Sequence, residues 1–180
     1  RKLCDEHRLL LLMDGVQCGH FRSGRFQSFQ RLLEEIPQAS GFLPDGISMA
    51  KSLGAGFPIG AFWVREPYAD LLGPGTHATT YGGTPLACTV ALKVFEIIER
   101  DRLADNARQL GDWIQTQLAQ LASAYPQILK TVRGVGFMIG FELVDKERIP
   151  ALAAQPQPAA LQFVHRLHEA GLLTVPAGPQ

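Results

Sequence analysis

The stretch Ile47-Ser48-Met49-Ala50-Lys51-Ser52-Leu53-Gly54-Ala55-Gly56-Phe57-Pro58-Ile59-Gly60-Ala61 decides the reading of this chain. One lysine stands among small and apolar residues, where lysine is seldom buried unless something pairs it or uses it. An ammonium held there loses hydration, which favours its neutral form. A neutral amine can attack a carbonyl and form a Schiff base. Gly54, Gly56 and Gly60 allow tight turns and close backbone approach, as a flat cofactor would require. The same residues also read as a surface lysine opening a glycine-rich loop, because short motifs match by accident. What lies on either side decides between the two.

Upstream, Leu9 to Met13 is a continuous apolar run, which predicts a strand buried on both faces, as in a parallel sheet. The run ends at Asp14. In open α/β sheets ligands gather beyond the carboxyl ends of strands, so Asp14 and Gln17 fall where a cofactor would bind. Asp14 also reads as a turn residue that hydrogen-bonds its own backbone. Downstream, Thr76-His77-Ala78-Thr79-Thr80-Tyr81-Gly82-Gly83 precedes a helix expected from Pro85 to about Arg100, with Thr84 as its cap and Pro85 in its first turn. The first half of that helix is apolar nearly all round, which predicts burial. Hydroxyls and glycine amides ahead of a helix suit a phosphate, although an ordinary capped loop has the same composition.

The remaining segments set these three features in a two-layer frame. Arg25 to Ile36 is expected to be helical and to end at Pro37. Ile47 to Met49 and Ala61 to Val64 are strand candidates. Arg102 to Ser123 carries Leu103, Ala107, Leu110, Ile114, Leu118 and Leu121 at helical steps. Ile128 to Arg133 and Phe137 to Val144 suggest an antiparallel hairpin around Gly134-Val135-Gly136. Ala151 to Pro158 reads as a linker, Ala159 to Ala170 as a helix stopped by Gly171, and Leu172 to Val175 as a last strand. Residues 1–100 thus look like part of an α/β layer domain, and 101–180 like part of a smaller α+β domain. Both ends read as cut, so a piece of a longer chain is expected.

Composition narrows the classes. The chain has 180 residues, 46% hydrophobic and 19% charged, with no formal net charge. It holds no basic block of the kind that marks nucleic-acid binding, no apolar run long enough to span a bilayer and no visible signal peptide. Cys4, Cys18 and Cys88 lack metal-ligand spacing and read as free thiols of a reducing, cytoplasmic compartment. His77 and Cys18 read as loop residues, with neither metal nor triad partners. An acid closing a strand, a lysine in a small-residue loop and a hydroxyl-glycine loop before a helix are together what pyridoxal phosphate asks for. Its aldehyde needs an amine, its ring nitrogen an acid and its phosphate hydroxyls and amides.

At these residues the chain resembles the class III, fold-type I pyridoxal-phosphate aminotransferases, and within them most the acetylornithine branch. Asp14-Gly15-Val16-Gln17 is similar to the family's Asp-Glu-Val-Gln. Gly19-His20-Phe21-Arg22-Ser23-Gly24 is similar to its Gly-x-x-Arg-Thr-Gly. Pro44-Asp45 through Ala50-Lys51, Gly75 through Ala87, and Arg133 through Gly140 resemble its later motifs. The likeness runs in order over nearly the whole chain.

The resemblance implies a part of the large, mainly parallel-sheet domain followed by a truncated part of the small C-terminal domain. It implies pyridoxal 5'-phosphate held by Lys51, which then acts as the base and acid of the proton shift. Asp14 would pair with the ring nitrogen, Gly15 and Val16 would lie against the ring, and Gln17 would reach its phenolic oxygen. Thr80 would bind phosphate across a homodimer interface, and Thr79 would lie near the substrate. The implied reaction moves the terminal amino group of N2-acetylornithine to 2-oxoglutarate, giving glutamate in arginine biosynthesis. Ornithine or 4-aminobutyrate as donor, and a non-catalytic remnant of the fold, are the alternatives. Departures are Gly15 for the usual Glu, Cys18 for Thr, Thr84 for Asn, and extra residues around Glu34 to Phe42. The family's N-terminal phosphate loop, stacking aromatic and carboxylate-gripping arginine fall outside these 180 residues, so this piece alone is expected to be inactive.

Overall fold

A computed structural model describes residues 1–80 and 82–178; Tyr81 of the 76–83 loop, and Pro179 and Gln180, lie outside it. The chain forms two compact units, Arg1–Gln109 and Leu110–Gln180.

In the first unit, α1 (Lys2–Glu6) leads to β1 (Leu12–Asp14), and a short helix, α2 (Ser28–Leu32), precedes β2 (Gly46–Met49) and β3 (Ala61–Val64). The sheet order is β1-β2-β3. β1 runs parallel to β2, with Asp14 opposite Ser48; β3 runs antiparallel to β2, with Met49 opposite Ala61. A parallel pair needs a long crossover, here the segment from Gly15 to Asp45.

Asp45 anchors the start of this pair. It is fully buried. Its carboxylate accepts from the Leu11 N–H at 2.8 Å, from Arg1 at 2.7 Å and from Arg65 at 3.1 Å. Burial works to raise its pKa, but the Leu11 N–H, Arg1 and Arg65 together outweigh that and hold it below the ordinary carboxylate range. Gly46 is glycine because a Cβ there would stand 2.7 Å from the Phe62 ring and 2.9 Å from Leu12.

Three expectations for this unit are corrected. Only Leu12–Asp14 of the apolar run is strand, and Leu9, Leu10 and Leu12 are exposed. Among the described residues β1 is an edge strand, and Leu11, just ahead of it, is tied by the Asp45 side chain. The helix expected over 25–36 shrinks to Ser28–Leu32, because Gln27 and Gln30 form a reciprocal capping box that starts it late. Pro37 then opens a 3-10 turn over Pro37–Ala39. The helix α3 (Pro85–Arg100) is capped as expected, the Ala87 N–H donating to Thr84 Oγ1 at 3.3 Å. Only Ala87 and Ala91 on it are buried, however, while Leu86 and Leu92 are exposed. Small side chains let one face approach its neighbours closely, and the all-round apolar pattern overstated the covered surface.

The long helix α4 (Leu103–Ala124) follows, then the antiparallel pair β4 (Leu129–Val135) and β5 (Met138–Leu143). Val135 pairs with Met138, so the hairpin loop is Gly136-Phe137, two residues later than the glycine pattern suggested. Gly136 sits at φ 56°, which a two-residue hairpin loop requires. Gly111 of α4 lies against that loop: a Cβ there would stand 2.5 Å from the Gly136 carbonyl oxygen. The core of this unit joins Leu129, Leu143, Val144, Ile149, Leu152 and Ala159. Phe141 meets Phe163 edge-on at 5.6 Å.

The proposed linker opens with a helical turn, α5 (Pro150–Ala153), because Pro150 is preset for a first turn. Helix α6 (Ala159–Glu169) forms as expected. Leu172–Val175 forms no strand with any described residue; instead the Thr174 N–H meets His168 Nε2 at 3.2 Å.

Candidate active site

β1 and β2 are parallel neighbours, so their carboxyl ends lie side by side. Asp14 closes β1, and Lys51 begins a 3-10 turn (Lys51–Leu53) two residues after β2. Strand pairing thus brings together an acid and an amine that lie far apart in sequence.

Asp14 plays both of its expected parts. Its Oδ1 accepts from the Val16 N–H at 2.9 Å, which makes it a turn residue. The Ser48 hydroxyl approaches the same oxygen at 3.4 Å. Oδ2 has no partner among the described residues, and the side chain is exposed. One oxygen therefore fixes the carboxylate while the other can meet a cation.

Gly15 donates its N–H to the Ser48 carbonyl at 2.9 Å and is buried. A Cβ there would stand 2.3 Å from Gln27 Oε1 and 3.1 Å from the Ser48 oxygen. Gln27, itself buried, fills the space a side chain at 15 would need. Gly19 is bound by the same contact, since a Cβ there would lie 2.5 Å from the Gly15 oxygen and 2.9 Å from Gln27 Oε1. Val16 is half-buried and Gln17 exposed.

Lys51 is exposed among the described residues, which corrects the expectation of a dehydrated amine. Its backbone lies at φ 50°, the left-handed region that L-residues with a side chain seldom occupy. Leu53 and Gly54 behind it are buried. A Cβ on Gly54 would stand 2.4 Å from the Phe57 carbonyl oxygen, so glycine is required where the loop doubles back.

Thr79 and Thr80 are exposed in the loop ahead of α3. Thr79 Oγ1 accepts from the Gly82 N–H at 3.0 Å, which shapes the turn. Among the described residues no hydrogen bond joins this loop to the Asp14 end of the sheet. The parallel pairing sets Asp14, Gly15 and Ser48 side by side, with Lys51 just past the adjacent strand end.

Three residues here escaped the sequence reading. Ser48 follows from register once Asp14 and β2 are paired. Gln27 could have been found from the Gln-x-x-Gln spacing of its capping box. His20 gave no signal. It is buried, and its Nδ1 lies 3.2 Å from Ser52 Oγ, next to Lys51. Burial holds its pKa below the usual histidine value.

The donor set fits pyridoxal phosphate: a carboxylate with one oxygen free, a primary amine at the adjacent strand end, and glycines that keep side chains away. Known proteins point the same way. The family model described as aminotransferase class-III matches residues 1–180. The acetylornithine aminotransferase of Gloeobacter violaceus is 38% identical over 180 residues, which is all of this chain and 40% of that protein. The acetylornithine aminotransferase of Thermosynechococcus vestitus is 41% identical over 180 residues, covering 39% of that protein. Among solved structures, an ornithine aminotransferase of Toxoplasma gondii matches 99% of this chain with a TM-score of 0.79 and 33% identity. That structure is described as having partial occupancy of pyridoxal phosphate at its active site, and this chain covers 38% of it. An acetylornithine aminotransferase of Elizabethkingia anophelis matches with a TM-score of 0.77 and 26% identity, over 98% of this chain and 40% of its own. The chain thus spans about two-fifths of the length of the curated relatives it matches.

Proposed function

Because this chain belongs to the class-III aminotransferase family, we propose that it supplies the lysine, the ring-nitrogen acid and one substrate-side loop of a transaminase that uses pyridoxal 5'-phosphate. The observation that carries the reading is the pairing of β1 with β2, which sets Asp14 and Lys51 at adjacent strand ends. When bound, the cofactor supplies an electron sink for the electrons released as a proton leaves carbon.

The chain's own residues have distinct tasks. Asp14 presents Oδ2 to the protonated ring nitrogen, while the Val16 N–H and Ser48 hydroxyl keep the carboxylate from turning. Val16 would lie against the ring face, and Gln17 would reach the phenolic oxygen. Lys51 holds the cofactor through Nζ. The same Nζ would be the group that accepts the substrate proton and returns it one position away. Thr80 offers its hydroxyl to phosphate, and Thr79 stands on the substrate side. The exposure of that loop supports its use at the site of a second subunit, so the working unit is a homodimer.

The donor is the terminal amine of N2-acetylornithine, and the acceptor is 2-oxoglutarate, which leaves as glutamate. Relatives named for that donor, aligned along the whole chain, support this choice and a place in arginine synthesis. Among the described residues no helix is long and apolar enough to cross a membrane. The free state of Cys4, Cys18 and Cys88 supports a reducing, cytoplasmic setting. The test is amino-group transfer by the intact protein from N2-acetylornithine, ornithine and 4-aminobutyrate in parallel. Faster turnover of the acetylated donor is expected. Equal or faster turnover of a competitor overturns the donor and leaves the chemistry standing. No transfer from any of the three, with no uptake of the cofactor, supports a non-catalytic remnant.

A further inference from the structure

We propose that His20 is a positioning residue that latches the Lys51 loop through the Ser52 hydroxyl. The inference rests on the reading of Lys51 given above and concerns how this chain holds that lysine in place.

The contact joins two strained segments. His20 and Phe21 lie at φ 52° and 67°, and Lys51 lies at φ 50°. Side-chain-bearing residues in the left-handed region persist only where surrounding contacts over-determine them. On the His20 side those contacts are visible. The His20 N–H donates to the Phe26 carbonyl at 2.6 Å, and the Phe21 N–H donates to Arg25 at 3.1 Å. The imidazole packs edge-on against Phe26 at 5.8 Å and Phe95 at 6.5 Å. His20 is 4% exposed, so its ring is enclosed by these neighbours.

On the Lys51 side the restraints are fewer. The loop is closed by its own short bonds, Leu53 N–H to Ala50, Gly54 N–H to Lys51, Ala55 N–H to Ser52 and Phe57 N–H to Gly54. The His20 Nδ1 to Ser52 Oγ contact at 3.2 Å bridges 32 residues and ties this turn to the rigid aromatic cluster. His20 Nε2 has no partner among the described residues, so Ser52 is the ring's one polar attachment there. Ser52 follows Lys51 directly, so fixing its hydroxyl limits the rotation of the peptide that carries the lysine.

Three variants of the intact protein test this. His20→Asn places an amide atom near the Nδ1 position and tolerates a left-handed backbone. His20→Leu keeps apolar bulk without a polar atom, and Ser52→Ala removes the partner. Amide hydrogen exchange without cofactor reads the loop directly. In His20→Leu and Ser52→Ala, the amides of residues 53, 54, 55 and 57 should exchange about tenfold faster. The β2–β3 ladder in the same unit should be unchanged, and His20→Asn should restore most of the protection. Equal acceleration of the ladder would mean general loosening and would overturn the latch, as would unaltered exchange in the loop.

A second readout is the rate at which pyridoxal phosphate, trapped by borohydride, labels Lys51. It should fall in His20→Leu and recover in His20→Asn; a rate equal to wild type in all variants overturns the positioning role. If wild type takes no label at Lys51 while loop exchange still responds to the variants, the proposed function fails and the latch stands.

Discussion

Gly15→Ala is the sharpest perturbation of the site. It is a small change at a position whose backbone any residue could adopt, so its effect isolates space. The added Cβ would stand 2.3 Å from Gln27 Oε1 and 3.1 Å from the Ser48 carbonyl oxygen. The first distance is about 1 Å inside ordinary contact. Gln27 must withdraw, yet it is 2% exposed and its side chain caps α2 through the Gln30 N–H. Losing such a cap costs about 1 kcal/mol, and overpacking a filled site costs about 1–3 kcal/mol. Gly15→Ala should therefore destabilise the protein by about 2–4 kcal/mol, read as a shift in the urea midpoint at unchanged slope. Gln27→Ala alone loses the cap but opens the space. In the double variant the two costs should fall short of additivity by about 1 kcal/mol or more. An additive cycle, or a Gly15→Ala protein within about 0.5 kcal/mol of wild type, would refute the claim that Gln27 occupies the room of a side chain at 15. The same logic says that Gly15→Glu, the family's usual residue, is tolerated only when Gln27 is also shortened.

Asp45→Asn leaves the partly exposed Arg1 and Arg65 facing a neutral group, and weakening these charge-assisted hydrogen bonds should cost about 1.5–3 kcal/mol; urea unfolding at neutral pH checks it. The folded carboxylate of Asp45 is held below its ordinary value, so its contribution is complete above about pH 4 and is lost as pH falls through the lowered value. The Asp45→Asn penalty should shrink accordingly in acid, and a penalty that grows there contradicts the sign. Leu152→Ala, at a 2% exposed position in the second core, should cost about 2–5 kcal/mol in thermal or urea unfolding. Thr84→Ala removes the cap of α3 and should cost about 1 kcal/mol, with Thr84→Ser recovering most of it.

Much of this arrangement was legible in the sequence. The capped start of α3, the amphipathic α4, the β4–β5 hairpin and the strand before Lys51 follow from local rules that depend on neighbours a few residues away. The errors came where tertiary context outweighs those rules. Leu9–Met13 reads as a buried strand because its composition is apolar, yet Leu9–Leu11 run outside the ladder, with Leu9 bonded to Cys4 and Leu11 to Asp45. Leu172–Val175 has the composition of a strand and no described neighbour to pair with. At the site, Asp14 and Lys51 stood out by residue type and context. Ser48, Gln27 and His20 did not, because their roles arise only from register, a filled space and a contact over 32 residues. Gly15 reads in the sequence as the loss of a carboxylate; the structure shows that Gln27 fills the space beside it.

The central claim is that the amine of Lys51 is the attachment point of the cofactor. It is tested most directly by incubating the intact protein with pyridoxal 5'-phosphate, reducing with borohydride and mapping the added mass by peptide sequencing. The expected result is a single modified site per chain at Lys51, absent from Lys51→Ala. A chain that takes up no label, or takes it at another lysine in preference to Lys51, contradicts the account.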